Sequence, residues 1–325
     1  MRSPATAALL LLVLAASPAA ARADGLPVLG IDAGPSGVAR GGIRYVTLGN
    51  GARSTMVAAV RREGGQVLRA AALRGAFTVP AVALDGSASG LSADGRTLVL
   101  IRPRAAFPQA RTVLAILAVP ELRVRRVLRL RGDFSFDAIA PDGRSLYLIQ
   151  YVSRTDPTRY VVRAYDLAAR RLVRAPVVDP RERGEKMRGL PLTRAASADG
   201  RWAYTLYDGG GGAPFIHALD TRARTAVCVD LPQLAARPDL ASLRLLVRRH
   251  ALAVVSPRGP VVHVQVDART FAVSRPAAAK RAARPAGARG AGFLWAPVIG
   301  VAAGVLAAGA LRRRRRVAVA AVRAR

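Results

Sequence analysis

Three histidines, His217, His250 and His263, and one cysteine, Cys228, are the residues of this 325-residue chain best suited to metal binding or nucleophilic attack. Their spacing supports neither. No two form an H-x-H or H-E-x-x-H pair, and no Cys/His set has the spacing of a zinc site. His217 and His263 lie in apolar runs, three and four residues ahead of Asp220 and Asp267. Alternation along a strand makes each a half-buried structural side chain. Cys228 falls in the apolar run Ala226 to Val229, so a buried inert thiol is expected. A single cysteine allows no intrachain disulfide. No G-x-S-x-G elbow is present, and Gly209 to Gly212 lacks the Lys and Ser/Thr that complete a phosphate-binding loop. That run reads as a hairpin loop. No catalytic, cofactor-binding or metal-ligating residue is expected.

The remaining chemistry is charge. The net charge is +31, and all 51 basic residues except Lys186 and Lys280 are arginine. Residues 26 to 274 alone hold 37 Lys plus Arg against 19 Asp plus Glu. The arginines are spread without a dense cluster, which reads as a solvated basic surface, with affinity for anionic lipid head groups or envelope polymers as the second reading. Nucleic acid is not an expected partner, since no reading element is recognisable. The one basic insertion is Asp179 to Arg194. Its Arg181, Arg183, Lys186, Arg188 and Arg194 are the candidate contact surface.

These residues must be positioned by something, and the repeat says what. SADGRTLVLI from Ser92, APDGRSLYLI from Ala140 and SADGRWAYTL from Ser197 each set an Asp-Gly turn before a strand-like run. The three Asp residues, at 94, 142 and 199, are 48 and 57 positions apart, the period of a β-propeller blade. A second turn recurs after Asp166, Asp220 and Asp267, each followed by a short Arg-containing turn and a returning strand. Asp at a turn start accepts backbone N–H groups two or three residues on, and Gly takes positive φ. Those Asp residues are therefore structural. Two degenerate copies, near Gly41 and Arg249, complete the set, so first turns fall near 41, 95, 143, 200 and 249. The fold expected is all-β, a propeller of about five four-stranded blades. The early segment LPVLGI, Leu26 to Ile31, is a candidate to pair with the last blade and close the ring. The loops Arg102 to Arg111, Ser153 to Arg159 and Asp208 to Pro214 join second to third strands, so ring geometry gathers them on one face.

The S/A-x-D-G-R-x-L-Y-L runs resemble the turn signature of bacterial lactonase-like, YVTN-type and Tol-Pal-type propellers, which are WD40-like, and Tyr45-Val46-Thr47 resembles the strand that names the YVTN group. The resemblance identifies blades. A lactonase-like relationship would imply a small-molecule site in the central channel, but no motif assigns its residues to positions in this chain.

Both ends carry membrane signals. Arg2, the apolar run Ala5 to Ala16 and the A-x-A site ending at Ala23 describe a signal peptide over 1–23. A propeller ectodomain over 24–274 and a basic Ala/Pro/Gly-rich linker over 275–292 follow. Phe293 to Leu311 is an uncharged span long enough for a transmembrane helix, stopped by Arg312 to Arg316, with a cytoplasmic tail over 312–325. Gly300 and Gly304 form a G-x-x-x-G pair that offers a homodimer contact. The expected protein is a single-pass membrane protein with its propeller outside the cytoplasm, binding a protein or an anionic envelope component. A lactonase-like hydrolase and a structural envelope protein are the alternatives.

Overall fold

The turns decide where the chain folds back. In the computed structural model, the carboxylates of Asp94, Asp142 and Asp199 accept the backbone N–H of Arg96, Arg144 and Arg201 at 2.9, 3.0 and 3.1 Å. The glycine after each takes positive φ. At two of them the glycine is needed twice over, because a Cβ on Gly143 would lie 2.5 Å from Thr97 Oγ1 and one on Gly200 would lie 2.5 Å from Ala93 Cβ. The second turn type has the same logic. Asp166, Asp220 and Asp267 each accept two consecutive backbone N–H groups, those of residues 168–169, 222–223 and 269–270. Arg170, Arg224 and Phe271, four residues past each Asp, are left-handed.

The structure describes residues 37–182, 184, 187–258 and 261–274, and within them five antiparallel sheets follow one another along the chain. Blade 1 is β1 (Val38–Arg40), β2 (Ile43–Asn50), β3 (Ser54–Arg61) and β4 (Val67–Arg74). Blade 2 contains β5 (Thr97–Ile101), β6 (Arg111–Ala118) and β7 (Arg123–Arg131). Blade 3 is β8 (Phe134–Ile139), β9 (Ser145–Tyr151), β10 (Tyr160–Asp166) and β11 (Arg171–Val177). Blade 4 is β12 (Pro191–Ala196), β13 (Trp202–Tyr207), β14 (Phe215–Asp220) and β15 (Thr225–Asp230). Blade 5 is β16 (Arg244–Arg248), β17 (Ala251–Val255), β18 (Val262–Asp267) and β19 (Val273–Ser274). Each is a meander in sequence order. All five expected first turns are where the spacing puts them.

The expectation of four strands in every blade needs one correction. Blade 2 is three-stranded, and its inner strand survives only as bridges from Thr78 to Ile101 and from Leu91 to Leu98. Between them a hairpin is inserted, Pro80 to Gly90, turning at Asp85-Gly86 with Val82 N bonded to Ser87 O at 2.7 Å. The expected signal peptide and transmembrane helix lie outside the described residues, as does Leu26 to Ile31. No helix among the described residues is long and apolar enough to cross a membrane.

A second repeat locks successive blades together. Arg74-Gly75-Ala76-Phe77 and Arg131-Gly132-Asp133-Phe134 carry the chain from one blade to the next, and the buried Thr55 and Thr112 staple them. Each threonine hydroxyl donates to the glycine carbonyl, at 2.9 and 3.1 Å, and accepts the phenylalanine N–H at 2.8 Å. Apolar side chains then fill the spaces between blades. One cluster joins blades 1 and 2 (Val57, Leu98, Leu117), one blades 2 and 3 (Leu114, Phe134, Leu146), one blades 3 and 4 (Tyr147, Ala164, Leu219), and one blades 4 and 5 (Leu206, Leu245, Val264). A fully buried leucine of this kind contributes about 1.5–3 kcal/mol. None of these clusters among the described residues joins blade 5 to blade 1.

Candidate functional site

The inner strands bound an axis, and the inserted hairpin occupies it. From blade 2 the hairpin reaches the first strand of blade 4, where Leu84 N and Asp85 N donate to Pro191 O and Leu192 O at 2.8 and 3.2 Å. Val82 packs among Phe136 and Ile139 of blade 3, and the Asp85 carboxylate lies 3.7 Å from Arg244 of blade 5. Its Val82 and Ala83 are buried. Sequence reasoning missed this element. Its signal is the Asp-Gly of Ala83-Leu84-Asp85-Gly86-Ser87, which is followed by small residues instead of a strand-like run.

The inner strands of blades 3 and 4, and the residue that leads into β8, carry charges that are paired inside the protein. A β-bulge at Asp137 interrupts the pairing of β8 with β9, and the Asp137 carboxylate forms an ion pair with Arg194 of β12, both side chains almost fully buried. Asp133 makes the other buried pair. Arg104, from the loop after β5, holds its Oδ1 at 2.5 Å, and Gln109 N donates to its Oδ2 at 2.9 Å. The Arg104 guanidinium also lies 4.7 Å over the Tyr151 ring and 3.2 Å from Ser135 Oγ. Phe107, Tyr151, Tyr160, Tyr207 and Phe215 continue as a chain of ring contacts from blade 2 to blade 4. Burial pushes the Tyr151 phenol up to about 12 and the Tyr160 and Tyr207 phenols up as well, so none supplies a phenolate near neutral pH.

His217 lies at the end of this chain of rings. It is 2% exposed, buried where half-burial was expected, because β14 has sheet on both sides and blade neighbours on both faces. Burial lowers its pKa to about 4, and its Nε2 has no hydrogen-bond partner among the described residues. His263 is different: its Nε2 is 2.7 Å from Ser256 Oγ and it is half-buried, as expected.

The candidate contact residues separate into three groups. Arg181 and Arg188 are exposed. Arg183 and Lys186 lie outside the described residues. Arg194 is corrected: it is not on an outer surface, because it belongs to the innermost strand of blade 4, where Asp137 neutralises it. Arg181 is itself anchored, its Nη2 2.6 Å from Asp179 Oδ2. Burial raises the Asp179 carboxyl, but the Arg181 and Cys228 N–H bonds outweigh it and leave the group below the usual carboxylate range. Asp179, Glu182 and Cys228 bring three potential ligand atoms within 4.8 Å of one another, yet Arg181 already satisfies the central carboxylate. Cys228 is partly exposed, where full burial was expected, since its strand β15 is the outer edge of blade 4.

The glycine-rich loop is built around Asp208. Its Oδ1 accepts Leu190 N and Gly210 N at 2.8 and 2.9 Å, so an internal carboxylate occupies the place an anion would take in a phosphate cradle. Loop and insertion border a cavity of about 520 Å³, with Arg188, Phe215, Cys228 and Asp230 in its wall. The second-to-third-strand loops, 102–110, 152–159 and 208–214, and the inter-blade insertion all leave the sheets at the same ends of the strands. The Asp-Gly turns leave at the other.

No protein-family model matches the chain, and no curated protein matches it. Among solved structures it is similar to TolB from Acinetobacter baumannii, at 15% identity over 72% of this chain and 52% of that one, TM-score 0.39. It spans about half of that protein. It is also similar to the β-propeller domain of Swd1 from Myceliophteria thermophila (13% identity, 69% of this chain, 61% of that one, TM-score 0.38) and to the Dos1 propeller (10%, 70%, 55%, 0.41).

Proposed function

We propose that this chain is a binding module: a propeller-like ectodomain, exported and held at the membrane by its C-terminal span, that engages a protein or an anionic envelope component and performs no catalysis of its own. The observation that carries this reading is the hairpin in the axis. A channel enzyme of the lactonase-like type needs charged side chains free to meet substrate around an open axis. Here Asp133 and Asp137 are consumed in buried ion pairs, and Val82 of the hairpin packs in the apolar cluster of blades 2 and 3. What remains accessible is a rigid scaffold with its longer loops at one end, the arrangement in which loops bind. Exposed arginines on that end, Arg154, Arg159 and Arg188, favour an acidic partner.

The decisive experiment is crosslinking and recovery from native membranes with the full chain and with a variant carrying Arg154→Glu, Arg159→Glu and Arg188→Glu. The reading expects one partner recovered with the wild type and lost with the charge-reversed variant. Turnover of a lactone or sugar acid by the wild-type chain would overturn it. A dimer through Gly300 and Gly304 is part of the proposal, tested by whether Gly300→Leu abolishes crosslinked dimers.

A further inference from the structure

A second depression opens at the loop end of blade 3, where the outer strand leaves the sheet. Val178, just past β11, turns toward blade 4, where its carbonyl accepts Ala226 N at 3.3 Å. β11 therefore pairs with β10 only as far as Val177 opposite Val162, and Tyr160 and Val161 have no strand on their outer side. The space left there is about 170 Å³, and Met187 and Arg188 of the inter-blade insertion close its far side. Val152, Val161, Val177, Val178 and Met187 give it apolar walls, and Val152 is 55% exposed. No acidic residue lines it among the described residues.

Bonds to its neighbours fix this groove, and its rim is basic. The Tyr160 hydroxyl donates to Gly189 O at 3.2 Å and Leu190 N to Asp208 Oδ1 at 2.8 Å, which pins the insertion just past Met187 and Arg188. Arg159 and Arg188 are exposed and make no ion pair among the described residues. The carboxylate that feels both is Asp156, whose Oδ1 already accepts Thr158 N and Oγ1 at 2.9 and 2.6 Å. Those bonds first, and the two arginine charges after them, hold it below the usual carboxylate range. It stays ionised. With Arg154 counted, three guanidinium groups face one carboxylate around a single apolar pit. An apolar side chain flanked by carboxylates matches that set. A second copy of this chain would set like charges against each other, and a bilayer would need a broad apolar face instead of a pit.

We propose that this groove receives one apolar side chain of an acidic peptide segment, whose carboxylates on either side meet Arg159 and Arg188. The proposal rests on the loop-end reading above and narrows its partner to a polypeptide that carries an apolar residue between acids. The two parts of the contact separate in salt. Attraction to the arginines falls as ionic strength rises, while the preference for the apolar side chain persists.

Fluorescence anisotropy gives the readout. Fluorescein-labelled, amidated Glu-Asp-Leu-Asp-Glu, Glu-Asp-Ser-Asp-Glu and Gln-Asn-Leu-Asn-Gln are each titrated with the full chain in neutral detergent. The expected result is saturation of the acidic Leu peptide below about 1 mM, binding of the Ser peptide about tenfold weaker, and none of the uncharged peptide. Val152→Ser, at an exposed position, should abolish the preference for Leu over Ser while leaving the Ser peptide's affinity and the thermal midpoint in place. Arg159→Gln with Arg188→Gln should weaken both acidic peptides about tenfold or more. No saturable binding of the Leu peptide, equal affinity for Leu and Ser, or a preference that survives Val152→Ser each overturns the groove. A labelled tetragalacturonate that binds as tightly as the Leu peptide would assign the rim to an envelope polymer and overturn it too. Equal affinity for Leu and Ser that falls with the arginine variant removes the groove alone, since the loop-end reading stands or falls on whether the charge-reversed chain loses its membrane partner.

Discussion

In blade 3 all but one residue of the second strand, β9, are buried; in blade 1 the end of the second strand, β2, faces solvent. The two blades follow one sequence plan, so the contrast comes from their neighbours. Blades 2, 3 and 4 are each covered by an apolar cluster on both faces, and blades 1 and 5 by one each. The exposed large apolar side chains lean the same way: Leu48, Met56, Val67 and Leu68 on blade 1 and Leu246, Val261 and Val273 on blade 5, against Leu84 on the inserted hairpin, Val124 on blade 2 and Val152 on the loop after β9. Burial of carboxylates and histidine follows it too. Asp133, Asp137, Asp179, His217 and Asp220 are buried on blades 3 and 4 or at the junctions beside them, whereas the buried polar side chains of blade 1 are the threonines Thr47 and Thr55. The middle of this molecule can hold charges inside because its blades exclude water from both faces, and those charges then tie blade to blade.

The largest test of that division is Asp137→Ala. It leaves the Arg194 charge buried without its partner, and the expected cost is about 3–5 kcal/mol in a urea denaturation series. The double variant Asp137→Ala, Arg194→Met removes both charges and should recover most of the loss. A single-variant loss under about 1 kcal/mol would mean that water reaches the pair and that the middle blades are not dry.

The next effect is a pH dependence. Burial holds the His217 pKa at about 4 against 6.5 in the unfolded chain. Between those values the unfolded chain binds the extra proton, so His217 is without effect above pH 6.5 and increasingly destabilises the fold as pH falls toward about 4. The loss across the window is on the order of 3 kcal/mol. Because His263 is also lowered by burial and slopes the same way, the measured quantity is the difference between wild type and His217→Leu, which should flatten the curve. A variant with an unchanged pH profile would show that the His217 ring reaches solvent.

What the sequence makes legible divides along related lines. The turns are written locally: Asp142 and Gly143 define one hairpin through groups within two residues of each other, which is why all three Asp-Gly repeats and the Asp166, Asp220 and Asp267 turns are readable without any tertiary knowledge. The buried pairs are not. Arg104 and Asp133 are 29 positions apart, Arg194 and Asp137 are 57 apart, and nothing local marks an arginine in the RAASADG approach as destined for an interior. The same applies to the hairpin at Asp85-Gly86, whose small residues give no strand signal because its strands are held by the inner edges of other blades. The Arg-Gly-x-Phe staple at Gly75 and Gly132 stands between the two cases. It is a repeat in plain sight, but its meaning depends on a threonine about 20 positions earlier.

A third test concerns the seam between blades 3 and 4. The Tyr147 hydroxyl donates to Thr221 O at 2.7 Å from a side chain that is fully buried, and burial raises its pKa. Tyr147→Phe keeps the ring and removes the bond, leaving a buried carbonyl with one fewer donor. The expected cost is about 1–2 kcal/mol, read as a lower urea midpoint at unchanged slope. A changed slope would instead indicate that the blades separate in steps.

The smallest effect belongs to the terminal blades, and its smallness is the point. Leu48 on β2 is 60% exposed and Leu148 on β9 is fully buried, although both are leucines in second strands of the same repeat. Leu48→Ser should change stability by about 0.5 kcal/mol or less, whereas Leu148→Ala should lose about 2–5 kcal/mol. If Leu48→Ser in the full chain costs more than about 1.5 kcal/mol, something covers blade 1 that the described residues do not include. Repeating the pair of substitutions on blade 5, with Leu246 as the exposed residue and Leu252 as the buried one, then decides whether that cover reaches the other end of the row. A large effect at both Leu48 and Leu246 would mean that the two terminal blades are middle blades in the complete protein, each with a second face excluded from water.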